Sequence, residues 1–273
     1  MLKKMKIIRD QFTITTWLLI GAVLHGVLSY ILPTHYALLP AVLTLSLRSI
    51  HTLLQHYGLI NNRAAEGVVR GKFSAQIPDR EGNTPSQPAE HEVVVLHLAT
   101  RSNHPLGLWA PGYQQVSKYM QGLLADLSQN SHENGFLGST SWMPVSERKT
   151  SNQLMVAVYF RTYKDVYTWA HSPMHLKVWK WFNNVSRQHP HLSIMHETYI
   201  APRGHSENIY VNFHRTGLAA TNTKVKVDES AEKDSFQWIS PLVDASRGAL
   251  RSSRGRLGTA DGADNDQYKL VDY

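Results

Sequence analysis

Val93-Val-Val-Leu-His-Leu-Ala-Thr-Arg-Ser-Asn-His-Pro-Leu-Gly-Leu-Trp-Ala-Pro-Gly112 is the stretch whose reading decides the fold. It opens on an apolar, β-branched run and turns polar at Arg101. It then passes through Asn, Pro and Gly into a helical pattern that starts at Tyr113. Strand, turn and helix in that order are how an α/β or α+β domain sets backbone donors and side chains at one end of a sheet. The turn carries Arg101, Asn103, His104 and Trp109. One cation, two hydrogen-bonding side chains and a large ring exceed what a connection needs, although Asn103 and Pro105 are also ordinary turn formers.

Outward from that stretch the pattern continues in a definite order. Val116, Tyr119, Met120, Leu123, Leu124 and Leu127 recur at helical spacing, which predicts a helix over 113–130. Residues 136–145 read as a strand, and Leu154–Arg161 as a second strand that is apolar on both faces. Residues 163–189 read as helical with a break at Ser172-Pro173, an N-cap and first-turn pair that restarts the helix. Residues 192–200 and 209–213 are further strands. The order β-α-β-β-α-β predicts an α+β, ferredoxin-like domain over 92–221 with one added strand. Two helices cover one face of such a sheet, so a strand apolar on both faces calls for a second cover. A second copy of the chain, closing a dimeric α/β-barrel, supplies it.

The flanks read differently. Phe12–Leu32 is a run of 21 residues without Asp, Glu, Lys or Arg. At about 1.5 Å per residue such a run crosses a hydrocarbon core of roughly 30 Å. The run Tyr36–Leu54 is interrupted by Pro40, Arg48 and His51. It forms either the second arm of a hairpin or an interfacial helix after a single transmembrane segment. Basic residues precede the first run (Lys3, Lys4, Lys6, Arg9) and follow the second (Arg63, Arg70, Lys72). The positive-inside rule then puts both flanks in the cytosol, which favours the hairpin. Residues 1–60 are thus expected to be a membrane anchor, in the endoplasmic reticulum with the domain on the cytosolic side, and 61–91 a linker. Residues 222–273 are rich in Ser, Gly and charges of both signs. They are expected to be mostly disordered, with Phe236-Gln-Trp-Ile239 as a short docking element.

Composition narrows the chemistry. The 273 residues include no cysteine, which excludes disulfides, thiolate metal sites and a cysteine nucleophile. The net charge of +7 is scattered and lacks a basic run interleaved with aromatics, so nucleic acid is not an expected partner. No GxGxxG, P-loop or HExxH pattern appears, so nucleotide, flavin and zinc readings lack support.

The motifs Arg101-Ser-Asn-His-Pro-Leu-Gly107, Ala110-Pro-Gly112, Gly135-Phe-Leu-Gly138, Tyr159-Phe-Arg161, Ala170-His-Ser-Pro-Met-His175, His196-Glu-Thr-Tyr199, Glu207-Asn-Ile-Tyr-Val-Asn212 and Gly217-Leu218 occur in this order. Together they resemble the antibiotic-biosynthesis-type monooxygenase family of fungi and bacteria over about residues 70–221. The resemblance implies a dimeric α/β-barrel and oxidation of a lipophilic natural-product intermediate, terpenoid or polyketide, by O2. It implies no flavin, haem or metal, and other enzymes of the same pathway as partners. It does not extend to residue roles.

Those come from the residues themselves. His171 and His175 are four apart, but the Ser172-Pro173 restart spoils a shared helix face and with it a two-histidine metal site. His175 near a helix N-terminus is expected to be neutral and able to accept a proton; the alternative is an ordinary surface or core histidine. His196 shares a strand face with Leu192 and Ile194, where it is either satisfied in the core or a pocket base. Cofactor-free oxygenation needs a base, donors for an oxyanion and a dry pocket. The expected catalytic set is therefore His175, His196 and Asn103. Arg101, His104, Trp109, Trp142, Tyr199 and Tyr210 are expected to bind substrate. Two other readings stay open: an accessory protein that presents the intermediate to a membrane enzyme, and a barrel that holds haem through a histidine.

Overall fold

The computed structural model describes residues 12–144, 153–227 and 235–264, and the chain divides into two compact units. The basic group Lys3–Arg9 lies outside the described residues.

The first unit is a pair of long helices, α1 (Ile14–Ile31) and α2 (Thr34–His56). The Thr13 hydroxyl caps α1 by accepting from the Thr16 N–H at 3.2 Å. Leu32-Pro33 is the whole connection, and the two helices touch. Both are long and apolar enough to cross a membrane, and of all their residues only Ala37 is buried. A soluble helix pair would bury its Leu and Val faces; here Leu18, Val23, Leu43 and Leu45 stay exposed. Arg48 lies eight residues before His56, the last residue of α2.

The second unit is built on a four-stranded antiparallel sheet of β2 (Val93–Ser102), β3 (Phe136–Trp142), β4 (Gln153–Phe160) and β5 (Leu192–Ala201), in the order β3-β4-β2-β5. Its helices are α3 (Tyr113–Gln129), α4 (Tyr163–Ala170) and α5 (Pro173–Val185). This is the ferredoxin-like arrangement expected from the strand and helix order. Val94 and Leu96 of β2 and Val156, Val158 and Phe160 of β4 pack under Leu123 and Leu127 of α3 and Val166 and Trp169 of α4. Ser172 caps α5 with Pro173 in its first turn, as the sequence predicts.

Both flanks of this domain are folded. Val68–Ala75, expected as part of a linker, is a strand, β1. It is the middle strand of a second sheet, between β6 (Tyr210–His214) and β9 (Leu242–Asp244). Thr223–Lys226 (β7) and Phe236–Ile239 (β8), expected in a disordered tail, pair antiparallel. Polar clamps to backbone help hold these parts, beside a small apolar cluster of Phe73, Ala75, Ala219 and Leu242. The Asn208 amide both accepts from Ala75 N–H at 2.7 Å and donates to Ala75 O at 3.0 Å. The Lys72 ammonium donates to Arg251 O at 2.7 Å. Arg256, 6% exposed, pairs with Glu207 and donates to Leu250 O.

Arg161 joins flanks to domain. Its guanidinium donates to Pro78 O at 2.6 Å, Asp79 O at 3.0 Å and Thr223 Oγ1 at 2.9 Å. Gly135 is fixed by crowding and conformation together. Its φ is +67°, and a Cβ there would lie 2.3 Å from the Asp165 carboxylate, which forms the capping box of α4 with Thr162.

The sequence reading supplied the second cover of β4 from a partner copy. The chain itself supplies part of it: Leu137, Ala157 and Tyr159, on the face away from the helices, pack with Ile77, Val95 and Leu218.

Full-length protein is expected to pellet with membranes and resist alkaline carbonate. A chain starting at Asn61, which keeps β1, is expected in the soluble fraction. Full-length protein in the soluble fraction would refute the expectation that α1 and α2 enter a membrane.

Candidate active site

The α4–α5 junction gathers the first group of side chains. His171 ends α4; its ring stacks on Tyr167 at 4.2 Å and its Nδ1 contacts Tyr167 O at 2.8 Å. It is a capping residue. His175 sits in the first turn of α5, where its N–H donates to Ser172 Oγ at 3.3 Å. Its ring is half-buried, 4.8 Å from the ring of the buried Trp169. Neither His175 Nδ1 nor Trp169 Nε1 has a hydrogen-bond partner among the described residues. A buried ring nitrogen without a partner in a polar junction is a place for water or a ligand. Burial holds the His175 pKa below the usual histidine value; the nearby Ala170 backbone opposes that, and neighbouring His196 and His171 lower it further. The imidazole is therefore neutral at pH 7. No group of three potential metal-ligating side chains occurs among the described residues.

His196 lies on the helix-facing side of β5, directly across from Leu98. It is exposed, as are Ile194 and Ile200 on the same face. The burden of a buried histidine on an apolar surface does not arise, because solvent reaches it.

Asn103 does not join this pair. Its amide donates to Ser193 Oγ at 2.7 Å and its N–H donates to His191 O at 2.8 Å. Ser193 and His196 are three residues apart on one strand, roughly 10 Å along it and on opposite faces. Asn103 thus fastens the turn after β2 to the start of β5. His104 works on the same turn: its Nδ1 accepts from Leu106 N–H at 3.1 Å, and its ring meets that of His191 at 5.0 Å. His191, unmarked in the sequence reading, contacts Pro111 O at 2.9 Å through Nε2. Trp109 is 55% exposed in a single 3-10 turn.

The other face of the sheet carries a second group. Arg101, half-buried at the end of β2, stands between Gln153 and Ser193 in register. Tyr199 donates to Glu197 Oε2 at 2.8 Å, and that carboxylate raises its pKa. Its ring meets that of His97 at 5.6 Å. Trp142 is exposed, and its Nε1 donates to Thr140 Oγ1 at 3.0 Å. Tyr210 stacks on Phe73 at 5.1 Å, and its hydroxyl accepts from Ala219 N–H at 3.4 Å. Its hydroxyl and that of Tyr159 converge on Gly217, 3.3 and 3.4 Å from where a Cβ would stand. Burial is the largest cause that raises the pKa of both phenols. Tyr159, His97 and Glu197 were missed in the sequence. Strand alternation puts them on one face, but only the pairing register shows which residues of neighbouring strands meet.

The expected set therefore falls into three places. His175 and His196 share the helix side with Trp169. Asn103 and His104 hold a turn. Arg101, Trp142, Tyr199 and Tyr210 belong to the opposite side. A neutral imidazole beside a free indole N–H is a base next to a donor, and that arrangement can take a proton and hold the anion it leaves.

A ferredoxin-like α+β domain with a neutral histidine beside a buried tryptophan at the head of its last helix is the class of protein so defined. The chain belongs to the monooxygenase af470-like family: the family model matches residues 93–218, and Monooxygenase af470 of Aspergillus fumigatus is 33% identical over 253 residues, or 92% of this chain and 90% of that protein. It is an oxidoreductase, a monooxygenase of that family. Two solved structures align with part of it. SnoaB, a cofactor-independent oxygenase from Streptomyces nogalater, is 11% identical with a TM-score of 0.28, over 40% of this chain and 91% of that one. An aldoxime dehydratase in complex with butyraldoxime is 13% identical with a TM-score of 0.40, over 54% of this chain and 41% of that one.

His196→Ala removes a neighbour that lowers the His175 pKa, so it is expected to raise that pKa toward the ordinary histidine value of about 6.5. Because the folded pKa lies below the unfolded one, the stability linked to His175 is present above about pH 6.5 and lost as pH falls through the folded value. Side-chain NMR titration of labelled histidine in both proteins measures this. An unmoved His175 would show that the two rings do not sense each other.

Proposed function

We propose that this chain is a membrane-anchored, cofactor-independent monooxygenase. Its substrate is a lipophilic secondary-metabolite intermediate, terpenoid or polyketide, that partitions into the bilayer. The observation that carries the reading is His175: neutral, half-buried, with an unpartnered Nδ1 beside the unpartnered indole N–H of Trp169. His175 takes an acidic proton from the substrate. The resulting anion gives one electron to O2, the radicals combine as a peroxide, and loss of water leaves a carbonyl. A CH2 group and O2 become C=O and H2O, so the substrate supplies all the electrons. Trp169 Nε1 is placed to donate to the developing anion. The α1–α2 pair anchors the chain in the endoplasmic reticulum with the domain toward the cytosol, beside other enzymes of the pathway.

The test is direct. The metabolite that accumulates when the gene is removed is supplied to purified protein with 18O2 and no added flavin, haem or metal. One 18O is expected in the product and one in water. His175→Ala is expected to lower turnover by about 100-fold or more, with an unchanged circular dichroism spectrum, and His171→Ala to do much less. Turnover only after a cofactor is added, or normal turnover in His175→Ala, would overturn the mechanism.

The same reading includes a homodimer. Strand β5 is a sheet edge that exposes Ile194, Met195, Tyr199 and Ile200 on its two faces, and exposed apolar surface of this kind marks an interface. Light scattering on the chain starting at Asn61 is expected to give twice the monomer mass at micromolar concentration. A monodisperse monomer would reject the dimer.

A further inference from the structure

Helix α5 is held on two sides and open on a third, and none of its residues is fully buried. Trp181 meets Tyr119 of α3 with ring centres 4.8 Å apart, so that flank faces α3. Met174 and Val178 pack on the main core, and Phe182 and Val185 pack in the cluster that holds Leu192 at the start of β5. His175, Trp179 and Phe182 recur at four- and three-residue spacing. They therefore share one flank of the helix, turned away from Trp181.

Beneath that flank runs the helix side of β5, on which Leu192, Ile194 and His196 alternate with residues of the other face. Helix and strand run in opposite directions. Phe182 packs in the cluster of Leu192 at one end, and His196 acts on His175 at the other. From His175 to Phe182 is roughly 10 Å of helix, and from His196 to Leu192 roughly 13 Å of strand. Trp179, midway along the flank, thus stands level with Ile194. The far end is closed, because Leu192 is 4% exposed, but Trp179 and Ile194 keep 54% and 51% of their surface in solvent. An indole and a branched side chain left half-wet beside a candidate base form an apolar groove that continues from the reactive nitrogen. A molecule that covers both also keeps water from the imidazole.

We propose that the α5–β5 groove holds the apolar body of the substrate, laid from His175 past Trp179 and Ile194 to Phe182, and that Trp179 is the residue that selects it. The ligand so defined is a neutral lipophilic molecule roughly 10 Å long, the length of the helical flank, with its acidic group at the end that meets His175. The inference rests on the reading of His175 as the base. Met195 and Tyr199, on the other face of β5, remain for the contact between copies.

Fluorine NMR of the full chain, labelled with 5-fluorotryptophan and held in phosphatidylcholine nanodiscs, tests it. Geraniol is the chain-shaped probe, 1-naphthol the ring-shaped one, and empty nanodiscs are the blanks. The Trp179 resonance, assigned by its loss in Trp179→Phe, is expected to move saturably with at least one probe. The resonance of Trp238, about as exposed but beside β3 at the opposite edge of the sheet, is expected to stay in place. The tighter probe identifies the body as chain or ring. Trp179→Ala is expected to weaken that probe about tenfold, and Trp179→Phe by no more than about threefold. Ile194→Thr is the second variant if Trp179→Ala alters the circular dichroism spectrum. An unmoved Trp179 resonance with both probes, or unchanged affinity in the folded variants, would overturn the groove and leave the 18O test of His175 untouched. Saturable binding at Trp179 in a protein without turnover would keep the groove and remove the base. Loss of the dimer mass in Ile194→Thr with unchanged probe affinity would give the groove to a second copy and reject the proposal.

Discussion

The structure depends on the double burial of β4. Val156, Val158 and Phe160 face the helices, and Ala157 and Tyr159 face away, yet all five are buried. A sheet with one helical layer leaves its other face wet unless something else lies on it. Here Ile77 before the four-stranded sheet and Leu218 after it do so. The flanking chain is thus part of the core. Arg161, at the end of the same strand, ties the segment 78–79 to Thr223. Without either flank, a half-buried guanidinium would lose partners it cannot replace.

This explains where the sequence is legible. The strands 93–102 and 153–160 announce themselves as apolar runs, and the break at Ser172-Pro173 announces itself as a cap. Both signals are local. The fold of 68–75 and 242–264 combines a small apolar cluster of Phe73, Ala75, Ala219 and Leu242 with polar clamps that reach far along the chain, Asn208 on Ala75 and Lys72 on Arg251. Such clamps leave no periodicity, and polar composition then imitates disorder.

The candidate site divides in the same way. His175 stands where its cap predicts, at the head of α5, because capping is decided within four residues. Asn103 was misplaced because a turn residue can lean to either side of a sheet, and the hydroxyl it found, Ser193, belongs to a strand 90 residues on. Tyr159 and Tyr210 meet at Gly217 from two different sheets, a meeting that no spacing in the chain encodes.

The pairing of β1 with β9 sets an order of events during synthesis. Phe73 lies against Asp244, 171 residues later. At about 5–20 residues per second, a ribosome takes roughly ten to thirty seconds to supply the missing strand. In that interval α1 and α2 have already emerged, while β1 waits for β6 on one edge and for β9 on the other. An unpaired edge invites pairing with other chains. The nascent protein thus passes through a window in which its apolar hairpin is complete and its second sheet is open, and β9 closes both that window and the sheet.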